Sequence, residues 1–254
     1  MRSMNLKNNW EFNVLQIYNY KNLGKLEGYF KFISDNFDIL DGDICEIGVF
    51  RGYSLIATAM LLKELGSDKK VWGFDSFSGF PTYHENDDLL KFNYLYSKGE
   101  ISLKHYEDFQ LNMQHKEFVS GGSLSPSNIS TSKDFSETSL STLEKKIDYL
   151  GLDNIILVDG DYKNTMNDSL KAKFMTVLMD CDLYESHAIA FPFTWERLTP
   201  GGYIYLDEYY SLKFPGARIA TNDFFVDKSE KPEMYPLKSM DFERWFITKN
   251  LNKV

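Results

Sequence analysis

The chain has 254 residues, enough for one α/β domain spanning 1–254 with length to spare for a cover over a site. Hydrophobic residues make up 43% and charged residues 26%, as in ordinary globular proteins, but aromatics reach 16%, so rings are available to line a pocket for a flat or ring-shaped ligand. With 28 Lys and Arg against 37 Asp and Glu, the net charge is −9 and no basic stripe offsets it, which argues against a nucleic-acid partner.

Cys45 and Cys181 have neither metal-binding nor redox spacing, and each lies in or beside an apolar run, so both read as buried thiols. The first residues, MRSMNLKNNWEFN, lack the apolar core of a signal peptide. No stretch approaches the ~20 apolar residues of a membrane helix. The expected compartment is the cytoplasm, with no membrane partner.

In chain order, residues 1–40 read as helical, with Leu26, Tyr29, Phe30, Phe32, Ile33, Phe37 and Leu40 near helical spacing. Asp41-Gly42-Asp43 then breaks the chain. Ile44–Val49 reads as a strand, Ser54–Leu65 as a helix and Val71–Phe74 as a second strand. Residues 82–135 are polar, and 120–134 is rich in Ser, Gly, Thr and Asn. A loop of that length suggests a mobile lid over a site; a solvated insertion is the competing reading. A helix follows, with capping-box spacing between Ser141 and Glu144 and Gly151 placed to end it. Further strands are expected at Ile155–Val158, Phe174–Met179, Tyr203–Leu206 and Trp245–Thr248. Strands alternating with helices make a mostly parallel α/β sheet with right-handed crossovers.

The first strand runs into Glu46-Ile47-Gly48-Val49-Phe50-Arg51-Gly52-Tyr53-Ser54. Two glycines across a strand-to-helix turn suit a ligand lying against bare backbone. The pattern differs from the dinucleotide fingerprint, because an acid precedes the turn and one glycine is missing. A pyrophosphate avoids a nearby carboxylate, whereas S-adenosylmethionine carries an ammonium and a sulfonium that tolerate one. Glu46 therefore favours that cofactor over NAD; a purely structural glycine turn is the competing reading. Asp75 ends the second strand, before Ser76, where a carboxylate can accept both ribose hydroxyls or else cap a helix. The expected cofactor set is Glu46, Gly48, Arg51, Gly52, Ser54, Asp75 and Ser76, with Asp159 and Gly160 after the third strand.

The fourth strand runs into Asp180-Cys181-Asp182, the fifth into Asp207-Glu208. Ligands of open α/β sheets bind beyond the carboxyl ends of strands. If these two strands are neighbours, Asp180, Asp207 and Glu208 converge there and repel one another unless a cation intervenes. Oxygen donors without His or Cys suit Mg²⁺, or else Mn²⁺ or Ca²⁺. Unrelated capping roles are the alternative. His84, His105 and His115 show no ligand spacing. His187 reads as a helix-surface residue or a proton acceptor, and Lys163 as a substrate contact or a solvated lysine.

The pieces EIGVFRGYS, GFDSFSGFP, TSLSTLEKKIDYLGL, GDYKNTM, MDCDLYES and LTPGGYIYLDEYYS occur in an order that resembles the TylF/MycF-like O-methyltransferases, the macrocin O-methyltransferase family, over roughly residues 25–225. The resemblance implies a class I methyltransferase, Rossmann-like fold with a seven-stranded sheet, a Mg²⁺-dependent O-methylation and a hydroxylated small-molecule acceptor. The acceptor would be a sugar, nucleotide-activated or attached to a surface glycan or natural product. Phenolic or catechol-like acceptors, and an NAD-binding oxidoreductase, are the rival readings. A homodimer or larger assembly is also implied. By position, Glu46, Gly48 and Asp75 would hold the cofactor, and Asp180, Asp207 and Glu208 the metal. The family usually has Asp where this chain has Glu208, and segment 82–135 does not match clearly. A sugar hydroxyl needs a proton acceptor, for which Asp182 is the candidate and His187 the reserve.

Overall fold

The computed structural model describes residues 6–22, 24–237 and 241–251. Short apolar runs form the strands: β1 (Asp43–Ile47), β2 (Val71–Asp75), β3 (Ile155–Asp159), β4 (Phe174–Met179), β5 (Leu198–Leu206), β6 (Glu233–Met234) and β7 (Trp245–Thr248). They join into one seven-stranded sheet ordered β3-β2-β1-β4-β5-β7-β6. The first five are parallel, and β7 runs antiparallel to both its neighbours. The central strand β4 is buried at every position, which is why it reads as an unbroken apolar run instead of an alternating one.

Helices cover both faces. They are α1 (Asn9–Leu15), α2 (Glu27–Asn36), α3 (Tyr53–Glu64), α4 (Lys91–Ser97), α5 (Leu103–Ser120), α6 (Leu140–Leu150), α7 (Tyr162–Thr165), α8 (Tyr184–Arg197) and α9 (Pro215–Phe225). On one face α1, α2, α3 and α6 pack over Ile44, Val71 and Leu178; on the other, α8 and α9 pack over Cys45, Ile47, Val177 and Met179. Every residue of α3 from Ser54 to Leu62 is buried, as expected for a helix apolar on all sides and enclosed by sheet and helices. Both cysteines are free and buried. Among the described residues, no helix is long and apolar enough to cross a membrane.

Residues 1–40 read as helical in the sequence, but the described residues 16–22 and 24–26 between α1 and α2 are turns and irregular chain; the structure departs from the sequence reading in three further places. β5 begins at Leu198, not Tyr203, because Pro200-Gly201-Gly202, which looks like a turn, continues the strand. The cap of α6 is Ser139, whose Oγ accepts from Thr142 N at 3.3 Å; Ser141 already lies inside the helix. Gly151 ends that helix in the left-handed conformation, as its position suggests.

The third of these is segment 82–135, which is largely helical. It contains a single 3₁₀ turn at Glu85–Asp87, then α4 and α5. Leu89, Phe92, Leu95, Ile101, Phe109 and Ile129 form a core of their own against Leu183, Phe214 and Ile219. Asp87, fully buried, ties this segment to the sheet-covering layer. Its Oδ1 accepts from Tyr184 N at the start of α8, and its Oδ2 from His84 N, each at 2.8 Å. Asp87→Ala would take the buried carboxylate acceptor away from the Tyr184 and His84 amides. Thermal unfolding should show a loss of about 2–4 kcal/mol, or roughly 5–15 °C in Tm. A fall below about 2 °C would mean that the segment is held elsewhere.

Candidate active site

The register of the parallel strands builds the site. Ile47 pairs with Phe74 and Met179, and Met179 pairs with Leu206. The next residue on each strand therefore emerges at one edge of the sheet: Gly48, Asp75, Asp180 and Asp207. A cleft of about 300 Å³ opens there, lined by all four.

At the β1 tip the backbone of Gly48 has φ +91°, and a Cβ there would stand 1.9 Å from the carbonyl oxygen of Asp180. Only glycine lets the β1 turn and the β4 tip approach this closely. Gly52 caps α3 at φ +77°. Asp75 braces the same turn: Oδ2 accepts from Val49 N and Phe50 N at 2.8 Å, and Oδ1 from Phe77 N at 2.7 Å. A carboxylate has about four lone-pair sites, so three of them on Asp75 are taken by backbone amides and about one is left. Two non-glycine residues on the cleft wall, Phe50 and Asp182, have positive φ, as does Phe77 next to Ser76. Backbone strain of this kind concentrates where side chains are held for a ligand.

Ser54, Ser76 and Gly160 also line the cleft, whereas Glu46, Arg51, Gly52 and Asp159 do not. Glu46 stands behind the wall, fully buried, accepting from Ser54 Oγ at 2.7 Å, with Oε2 unpartnered. Burial pushes its carboxyl from 4.5 up to about 8, against the lowering effect of the Ser54 bond. Arg51 turns outward to the carbonyl of Glu137 at 2.9 Å, over the ring of Phe50. Asp159 ends β3 exposed to solvent.

The acidic half is compact. Ligand oxygens of Asp180, Asp207 and Glu208 lie within 4.8 Å of one another. Asp207 Oδ1 is buried without a partner. Hard oxygen donors, close spacing and an idle buried oxygen fit a Mg²⁺-sized ion. Asp182 also lines the cleft, 6% exposed, at φ +57°. Burial and then the Asp207 charge push Asp180 well above the ordinary carboxylate range; burial and then Glu208 do the same to Asp182.

Two lysines offset this charge, and the sequence reading singled out neither. Lys25 forms an ion pair with Asp207 Oδ2 at 2.5 Å. Burial alone would lower its ammonium, but Asp207, Asp180 and Glu208 outweigh it and raise it well above 10.5. Lys213 is likewise raised, Glu208 and Asp182 outweighing its desolvation. Lys25 lies 182 residues from Asp207, so no local pattern marks it. Tyr18, whose N–H donates to Tyr53 O, adds a further wall.

His187 corrects both of its sequence readings. It is 2% exposed and off the cleft wall. Its Nδ1 lies 2.9 Å from Leu183 O and 3.4 Å from Cys181 Sγ, and burial lowers it to about 4. Lys163 does line the cleft, paired with Glu185 at 2.8 Å; Thr82 Oγ1 donates to the same carboxylate.

The strand order, the reversed β7 and the cleft at the β1–β4 edge define a class I methyltransferase fold; a calicheamicin methyltransferase structure superposes with a TM-score of 0.61 at 17% identity, over 95% of this chain and 80% of the other. The chain belongs to the macrocin-O-methyltransferase (TylF) family, which it matches over residues 21–122 and 125–247. It is 27% identical over 191 residues to the mycinamicin III 3''-O-methyltransferase of Micromonospora griseorubida (74% of this chain, 61% of that protein). It is 25% identical over 190 residues to the 8-demethyl-8-(2,3-dimethoxy-alpha-L-rhamnosyl)-tetracenomycin-C 4'-O-methyltransferase of Streptomyces olivaceus (74% of this chain, 59% of that protein). The matched part thus spans about three fifths of the length of these relatives.

Glu46 gives a pH test of the buried wall. With its folded value near 8 and its unfolded value near 4.5, the folded state holds the extra proton between them. Its contribution to stability is full below about pH 4.5 and is lost as pH rises through 8. Glu46→Gln keeps an acceptor for Ser54 and removes this loss. Urea unfolding should show the variant gaining on the native chain between pH 6 and 8.5; parallel profiles would contradict the buried, protonated carboxyl.

Proposed function

We propose that this chain transfers the methyl group of S-adenosylmethionine to a hydroxyl of a sugar, assisted by a divalent ion, Mg²⁺ first, at Asp180, Asp207 and Glu208. The observation that carries this reading is the meeting, across one cleft, of the Gly48 turn with three carboxylates within 4.8 Å of one another. The sugar is favoured because the second relative is named for a rhamnosyl-bearing compound. Polar and aromatic cleft walls, including Thr82, Lys163, Glu185, Phe80 and Phe135, suit a polyhydroxylated ring.

S-adenosylmethionine, held against Gly48, Ser54, Asp75, Ser76 and Gly160, supplies an activated methyl group on a sulfonium. Glu46, behind the wall, accepts from the Ser54 hydroxyl and fixes its direction beside the cofactor site. Asp180, Asp207 and Glu208 would hold the ion, which would supply Lewis-acid chemistry that makes a substrate hydroxyl easier to deprotonate. Asp75 keeps the turn that faces the cofactor rigid through its three amide bonds. Asp182, on its strained backbone beside the triplet, takes the hydroxyl proton. Lys213 offsets the charge that Asp182 and Glu208 bring together. Segment 82–135 serves as the cover, supported by Thr82 at its start and Ser132 and Phe135 at its end on the cleft wall, next to Phe80 and Pro81 that lead into it.

Methyl transfer assayed across nucleotide sugars, glycosylated phenols and simple phenols tests the acceptor class; turnover confined to simple phenols would replace the sugar reading. EDTA should abolish activity and added Mg²⁺ restore it, whereas full turnover in metal-free buffer would remove the ion from the reaction. Asp182→Asn should lower turnover about 10²–10⁴-fold with cofactor affinity nearly unchanged. Unaltered turnover would exclude Asp182 as proton acceptor.

A further inference from the structure

The ion pair between Lys25 and Asp207 lies where the proposed metal would act, and its two partners differ in freedom. The Asp207 side chain is 1% exposed, that of Lys25 37%. Asp207 is held at the β5 tip, whereas Lys25 precedes α2 in a turn. The Lys25 backbone is anchored, because its carbonyl accepts from Tyr205 Oη at 2.6 Å. Its four-carbon stem is not, so the ammonium can leave toward solvent without moving the main chain.

Asp207 uses its two oxygens unequally. Oδ2 carries Lys25, and Oδ1 is buried without a partner. An ammonium on Oδ2 and a dication drawing on the same carboxylate would stand within a few ångströms of each other, with their mutual repulsion strengthened by low local polarity. Without any cation, three crowded acids would repel. The chain thus has one charge-balancing group that is present from the start and one that arrives later.

We propose that Lys25 is the resident counter-ion of the Asp180–Asp207–Glu208 cluster, and that a divalent ion displaces its ammonium from Asp207. This rests on the metal reading above. It makes Lys25 a positioning residue: it keeps the cluster compact before the ion arrives, and it weakens the net affinity for the ion by competing for Asp207. Lys25→Met removes the competing charge and keeps much of the stem volume; Lys25→Arg keeps the charge.

Titration of the full-length proteins with Mn²⁺, following the free ion by electron paramagnetic resonance, reads this directly. Lys25→Met should bind Mn²⁺ at least about tenfold tighter than the native chain, with Lys25→Arg close to native. A metal-free Lys25→Met protein should also melt lower and recover when Mn²⁺ is added. If the native chain binds Mn²⁺ and Lys25→Met binds it equally or more weakly, displacement is wrong and the metal site stands. If neither binds Mn²⁺, the metal reading fails and displacement with it. Labelling the native protein independently covers a variant that does not fold. Acetylation of Lys25, read by peptide mass spectrometry against the exposed Lys31, should rise severalfold at saturating Mg²⁺. Unchanged or reduced labelling overturns the proposal.

Discussion

Acidic side chains are concentrated at the carboxyl ends of two hydrogen-bonded parallel strands, where little water reaches them, and their mutual repulsion governs that end of the molecule. Two like charges 4 Å apart repel by about 4 kcal/mol at the effective polarity typical of protein surfaces. A protein's whole stability is only about 5–15 kcal/mol, so Asp180, Asp207 and Glu208 cannot all stay ionised there unbalanced. The chain answers with Lys25 on Asp207 and with Lys213 facing Glu208 and Asp182. The raised carboxyls of Asp180 and Asp182 show how far burial and neighbouring charge still favour protonation in the chain alone. A bound dication would reverse that tendency.

The two halves of the cleft are coupled through Gly48. Its missing side chain brings the carbonyl of Asp180 against the β1 turn, so the residue that leads into the acidic cluster also shapes the backbone beside it. Asp75 then locks the turn from the other side with three amide bonds. Glu46 and Ser54 back the same wall. The geometry at the acidic centre and the geometry at the glycine turn are therefore one packing problem, solved by parallel strands in aligned register.

Much of this was legible in the sequence because it depends on local pattern. The runs Phe174–Met179 and Trp245–Thr248 mark strands β4 and β7 to the residue, and acids just beyond the β4 and β5 runs had to emerge at strand tips. Helix α5 escaped because its polar sequence buries only His105 and Phe109 and leaves Leu111 and Phe118 exposed, so no apolar stripe announces it. Lys25 escaped for a different reason: Asp207, its partner, is 182 residues away and is brought near by topology, not spacing. Asp75 was placed correctly at the β2 tip, but its backbone partners depend on how the β1 turn folds over it. His187 follows the acidic motif closely in sequence, yet the first turn of α8 directs it into the core.

The central claim is that one divalent ion joins the three carboxylates at the β4 and β5 tips. Anomalous diffraction from crystals grown with Mn²⁺ and S-adenosylhomocysteine addresses it most directly. A single peak about 2–2.5 Å from oxygens of Asp180, Asp207 and Glu208 together is the predicted result. An empty cluster at saturating Mn²⁺, with Lys25 still on Asp207, would contradict it.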